Sequence, residues 1–103
     1  MRREDVARAV ADAVLGVPGV AQLSPGFPVE VATLFAGGKV VGVRLSGEVV
    51  EVHIVADRGP LPAVAEEASA AAKRTLSAAG DDRDVMVVVD DVEASAVDRR
   101  ARF

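Results

Sequence analysis

A two-layer α+β fold is expected, in the order helix, three strands, helix, strand, with both helices on one face of a four-stranded mixed sheet. Three observations predict it: two segments with apolar residues at three- and four-residue steps, three strand-like segments separated by glycine turns, and a valine run after the second helical segment. The three consecutive strands read as an antiparallel meander. The closing strand–helix–strand unit makes the last strand parallel to the third. The 103 residues support one domain, placed at residues 1–93, with a short basic tail over 94–103.

The first helix covers Glu4 to Leu15. Val6, Ala9, Val10, Ala13, Val14 and Val17 make its apolar stripe, while Arg8 and Asp12 fall on the other face. Glu4 and Asp5 sit where the helix dipole favours acids, and Gly16 with Pro18 ends the helix. A connector from Gly16 to Pro28 follows, read as a loop whose Val17, Val20, Leu23 and Phe27 lie against the core.

Val29 to Phe35 reads as the first strand and Lys39 to Ser46 as the second, joined through Gly37-Gly38. Gly47-Glu48 turns into the third strand, Val49 to Ala56. Its Val50, Val52, Ile54 and Ala56 alternate with Glu51, His53, Val55 and Asp57. In the second strand Val41, Val43 and Leu45 oppose Val40, Gly42, Arg44 and Ser46. The second helix runs from Pro60 to Ala79 on a stripe that includes Val64, Ala68, Ala72 and Leu76, and Gly80 closes it. Asp84 to Asp91 is the last strand; Val85-Met86-Val87-Val88-Val89, apolar on both faces, suits an interior position.

Composition excludes several function classes. Of 52 apolar residues 21 are Val and 19 are Ala, so the core is built from small side chains. Without cysteine there is no disulfide framework, thiolate metal site or thiol nucleophile. Twelve basic against sixteen acidic residues, net −4, argue against a general nucleic-acid binder. No stretch is apolar enough for a membrane span or a secretory signal, and a cytoplasmic location is expected.

His53 is the one histidine, with Glu51 and Asp57 on its strand face and Arg44 across the hairpin. A base oriented by a carboxylate has this composition. No serine or threonine stands in a nucleophile context, however, and one histidine with carboxylates is a poor metal set. The glycines at 37 and 38 join two strands rather than a strand and a helix, so they are not a phosphate loop. Asp81-Asp82-Arg83-Asp84 lacks calcium-loop spacing and reads as a solvated turn. No catalytic, cofactor or metal residue is assigned. The sheet face away from the helices is the candidate interaction face, carried by Val40, Arg44, Glu51, His53 and Val55, with Val40 and Val55 partly exposed in a monomer.

The opening helix Val6-Ala7-Arg8-Ala9-Val10-Ala11, then Val17-Pro18-Gly19-Val20, the strand Val50-Glu51-Val52-His53-Ile54-Val55 running into Gly59, and the closing valine strand form a recognisable pattern. From Val6 to Val92 it resembles the alkaline-shock, envelope stress response family of small Gram-positive proteins, in a short actinobacterial form. One departure is that Ser77-Ala78-Ala79-Gly80-Asp81 lacks the Thr-Gly that often precedes the last strand of that family. The resemblance implies a non-enzymatic protein of envelope homeostasis that self-associates or binds an envelope-associated protein, meeting the membrane only through that partner. It implies no small-molecule substrate and no cofactor. The alternative is a small nucleic-acid-binding domain using Arg99-Arg100-Ala101-Arg102.

Overall fold

The computed structural model describes residues 2–45 and 47–93. The basic tail assigned to 94–103 therefore lies outside the described residues, as does Ser46. The architecture is α+β: helix α1 (Arg3–Leu15), strands β1 (Val20–Leu23), β2 (Ala32–Phe35), β3 (Gly38–Val41), β4 (Val43–Arg44) and β5 (Val49–Ala56), helix α2 (Leu61–Ala78) and strand β6 (Asp84–Val92).

Periodicity accounts for both helices. In α1 the buried residues are Val6, Ala7, Val10, Ala11 and Val14, so Ala7 and Ala11 join the expected stripe. Ala7 of α1 and Ala68 and Ala72 of α2 are fully buried, and residues of this size bring helix backbones close together. At the start of α1 the Arg2 backbone N–H donates to Asp5 Oδ2 at 3.3 Å, satisfying one of the donors a helix start leaves free.

β5 is the centre of the main sheet. Val50, Val52 and Ile54 are fully buried in one cluster with Val10, Val14 and Leu76 from the helices. Burying each Val-sized side chain contributes roughly 1.5–3 kcal/mol. One edge of β5 is shared by two short antiparallel strands, β1 opposite residues 54–56 and β4 opposite residues 51–52. Along the other edge β6 pairs with β5 in parallel, from Val49–Asp84 to Ala56–Val92. β2 and β3 form a separate antiparallel ribbon.

The expected order of three strands between the helices is thus corrected to five. The connector is not all loop, because Val20–Leu23 forms β1 against the end of β5. Val17, Val20 and Ser24 are buried, but Phe27 is 94% exposed, so the outer half of the connector leaves the core. The expected strand from Lys39 to Ser46 is broken at Gly42, whose φ of +91° turns the chain out of extended geometry.

That break switches the alternation. Val40 faces the core before it, and Val43 and Leu45 face the core after it. A Cβ at position 42 would stand 2.7 Å from Leu23 Cβ, so this crossing of segments admits only glycine.

β6 is also corrected, from an interior strand to an edge strand: among the described residues it pairs with β5 alone. Its Val85, Val87, Val88 and Val89 are only half-buried, and Met86 is 46% exposed. Among the described residues, no helix is long and apolar enough to cross a membrane.

Candidate functional face

The side of β5 turned away from the helices carries a continuous polar chain. Arg44 on β4 is the register partner of Glu51 on β5, and its Nη1 donates to Glu51 Oε1 at 3.2 Å. His53 stands two residues along the same strand face and presents Nε2 to Glu51 Oε2 at 3.3 Å. Its other nitrogen, Nδ1, meets Asp90 Oδ2 of β6 at 2.9 Å. Arg44, Glu51, His53 and Asp90 therefore link three strands, with the imidazole only 13% exposed.

The backbone holds His53 as firmly as its side chain does. Its N–H donates to the Gly42 carbonyl at 2.9 Å, and its carbonyl accepts from the Ser24 N–H at 2.8 Å. It thus sits where β1, β4 and β5 converge. Asp90 comes from a register shift: Val89 pairs with Ile54 and Asp91 with Val55, leaving Asp90 as the extra residue of a bulge. Alternation places it on the same side as Met86 and Val88.

Of the five residues expected on this face, Arg44, Glu51 and His53 come together. Val40 does not belong to it: it lies in β3, 9% exposed and packed in the core, because Gly42 reverses the alternation. Val55 shares the His53 side but is only 8% exposed, so it offers no free apolar surface. Asp57, expected beside His53, instead pairs with its neighbour Arg58 at 3.0 Å. Asp90 was missed, since the register of β6 against β5 is not written in either strand alone.

Carboxylate oxygens only accept, so with Glu51 and Asp90 ionised both contacts to His53 are hydrogen bonds only when the ring carries both protons. A carboxylate oxygen thus lies within 3.3 Å of each ring nitrogen, between the imidazole and the solvent. Among the described residues no group of three or more His, Cys, Asp or Glu is arranged to hold a metal ion. Two clefts of about 380 and 410 Å³ lie between α1 and α2, sharing Arg74, and a third of about 410 Å³ is lined by Arg3, Leu45 and residues 79–83. None of the three touches Arg44, Glu51, His53 or Asp90.

A second polar cluster closes the end of the sheet. Arg83 donates from Nη2 to Asp81 Oδ2 at 2.6 Å and from Nη1 to the Leu45 carbonyl at 2.6 Å. The side-chain hydrogen bond from Arg83, helped by the Arg83 backbone N–H, holds the Asp81 carboxyl below the usual carboxylate range. Asp82 and Asp84 of the acidic turn are exposed, as expected of a solvated turn, while Asp81 and Arg83 form a clamp between the start of β6 and the end of β4.

No protein-family model, curated protein or solved structure matches this chain.

Proposed function

We propose that the protein is a non-enzymatic interaction module, of the envelope-stress type that its sequence resembles, and that it binds a protein partner through the open face of its sheet. The observation that carries this reading is the enclosure of His53 between two carboxylates. A carboxylate stands against each ring nitrogen of the chain's one histidine, Asp90 at 2.9 Å and Glu51 at 3.3 Å, so the face presents hydrogen-bonding and charged groups with neither nitrogen open toward a substrate. Arg44, Glu51 and Asp90 retain partial exposure, and Met86 and Val88 lie beside them. Such a polar chain bordered by apolar side chains suits recognition of another protein surface.

The nucleic-acid alternative has less support. Single-stranded nucleic acid is held by stacking on aromatic side chains. Phe35 instead sits on the β2–β3 ribbon under the Arg8 guanidinium, 4.9 Å from the ring centre, and Phe27 is on the connector.

The test is capture from cells of the native organism with the wild type and an Arg44→Gln/Glu51→Gln variant. An envelope-associated protein retained by the wild type and lost from the variant is the expected result. Equal retention by both, or retention of nucleic acid alone, contradicts the reading.

A further inference from the structure

The two edges of the main sheet are finished differently. On the β4 side the backbone is covered: the Thr33 hydroxyl donates to the Val43 carbonyl at 2.7 Å and accepts from the Leu45 N–H at 3.3 Å. The Gly42 N–H beside it donates to the Val31 carbonyl at 2.8 Å. The remainder of that side is β1, four residues interrupted by a bulge. The opposite edge is β6, nine residues long, with no strand on its outer side among the described residues. An edge strand of this length carries a row of unpaired N–H and C=O groups and is a template for another strand.

The side chains agree with the backbone. The valines of β5 that face the helices are fully buried, whereas Val85, Val87 and Val89 on β6 are only half-buried, and Met86 is 46% exposed. Val85 to Val89 contains no charge, proline or glycine, so nothing within those five residues blocks pairing.

We propose that β6 pairs antiparallel with β6 of a second copy of this chain, about a two-fold axis at Val87. This builds on the reading as an interaction module, naming one partner as a second copy and the contact as the edge rather than the open face. In that register Val85 faces Val89, Met86 faces Val88, and Val87 faces itself, which keeps helix-side residues opposite helix-side residues. Asp84 and Asp90 border the paired segment at both ends, and each already has a cation or imidazole of its own: Lys73 at 3.6 Å and His53 at 2.9 Å. Because the β4 edge is capped and the β1 edge is short, the same contact does not propagate, and the assembly closes as a dimer.

The chain has no cysteine, so a single introduced one reports the axis cleanly. Directly opposed residues in an antiparallel pair have Cα atoms about 4.5–5.5 Å apart, within the range a disulfide spans. Val87→Cys is expected to form a covalent dimer under mild oxidation. Val85→Cys and Val89→Cys crosslink poorly alone and efficiently when mixed. Met86→Lys, which places a charge on the edge, weakens dimerisation about tenfold or more and removes the dependence of the denaturation midpoint on protein concentration that the wild-type dimer shows.

A strict monomer by light scattering at high concentration overturns the proposal. So does a wild-type dimer in which Arg44→Cys crosslinks and Val87→Cys does not, which would put the contact on the open face. A monomer leaves partner capture through Arg44 and Glu51 untouched, and loss of that capture leaves the Val87→Cys crosslink untouched, so the edge and the functional reading fail separately.

Discussion

Arg83 reaches the carbonyl oxygen of Leu45 at 2.6 Å, joining the turn that opens β6 to the end of β4 across the width of the sheet. Asp81 holds the same guanidinium from below through both carboxylate oxygens, at 3.0 Å and 2.6 Å. The sequence places these residues only two apart; the fold makes them a bridge. Arg83→Met is expected to lower stability by about 1–2 kcal/mol, since it removes charge-assisted bonds to partly buried acceptors, measured by urea denaturation.

The Asp81 carboxyl supplies a pH dependence of fixed sign. Its folded pKa lies below the ordinary aspartate value, chiefly through the Arg83 side-chain hydrogen bond. The ionised form therefore stabilises the folded state above that value, and the contribution is lost as pH falls through the folded pKa. Comparison of wild type and Asp81→Asn at pH 7 and pH 3 should show the wild type ahead at the higher pH and the gap narrowing at the lower. A gap that widens on acidification contradicts the assignment.

His53 and Asp90 should be energetically coupled. A double-mutant cycle with His53→Ala and Asp90→Ala is expected to give a coupling of about 0.5–1 kcal/mol near neutral pH, modest because the pair is partly solvated. Zero coupling would mean that the 2.9 Å contact does not persist in solution.

Gly42 should be nearly irreplaceable. Its φ is +91°, and an added Cβ would meet Leu23 at 2.7 Å and the Ser24 carbonyl at 3.2 Å. Gly42→Ala is expected to cost at least about 2 kcal/mol, combining backbone strain with overpacking. Gly37, with the same φ of +91° but nothing within 4 Å, serves as the control. Gly37→Ala should cost only about 1 kcal/mol, the left-handed backbone penalty alone.

Thr33→Val tests the capped edge. The substitution keeps shape but leaves the Val43 carbonyl and the Leu45 N–H without the hydroxyl that serves both. A loss of about 1–3 kcal/mol is expected, and a neutral result would show that this edge is satisfied by other means.

Both helices and β5 were legible in the sequence because their signals are local. Three- and four-residue steps mark the helices, and strict alternation from Val49 to Ala56 marks the strand. β1 was not legible, since four residues held between Pro18-Gly19 and Pro25-Gly26 look like loop until β5 is beside them. Val40 lies on the opposite face from the one that unbroken alternation predicts, because the chain turns at Gly42. A run of valines looks alike in an interior strand and an edge strand, so the place of β6 depends on pairing that its own residues do not encode. Arg44, Glu51 and His53 were found together because one hairpin carries them; Asp90 needed the β5–β6 register and its bulge.

The central claim is that the open face carrying Arg44, Glu51, His53 and Asp90 is where a protein partner docks. The most direct measurement is an amide chemical-shift titration of isotopically labelled protein with the envelope-associated protein captured from its own cells. The account predicts perturbations concentrated at residues 44, 51, 53, 86, 88 and 90, and their loss in the Arg44→Gln/Glu51→Gln variant. Perturbations concentrated along the α1–α2 clefts around Arg74, with the face unaffected, would contradict it.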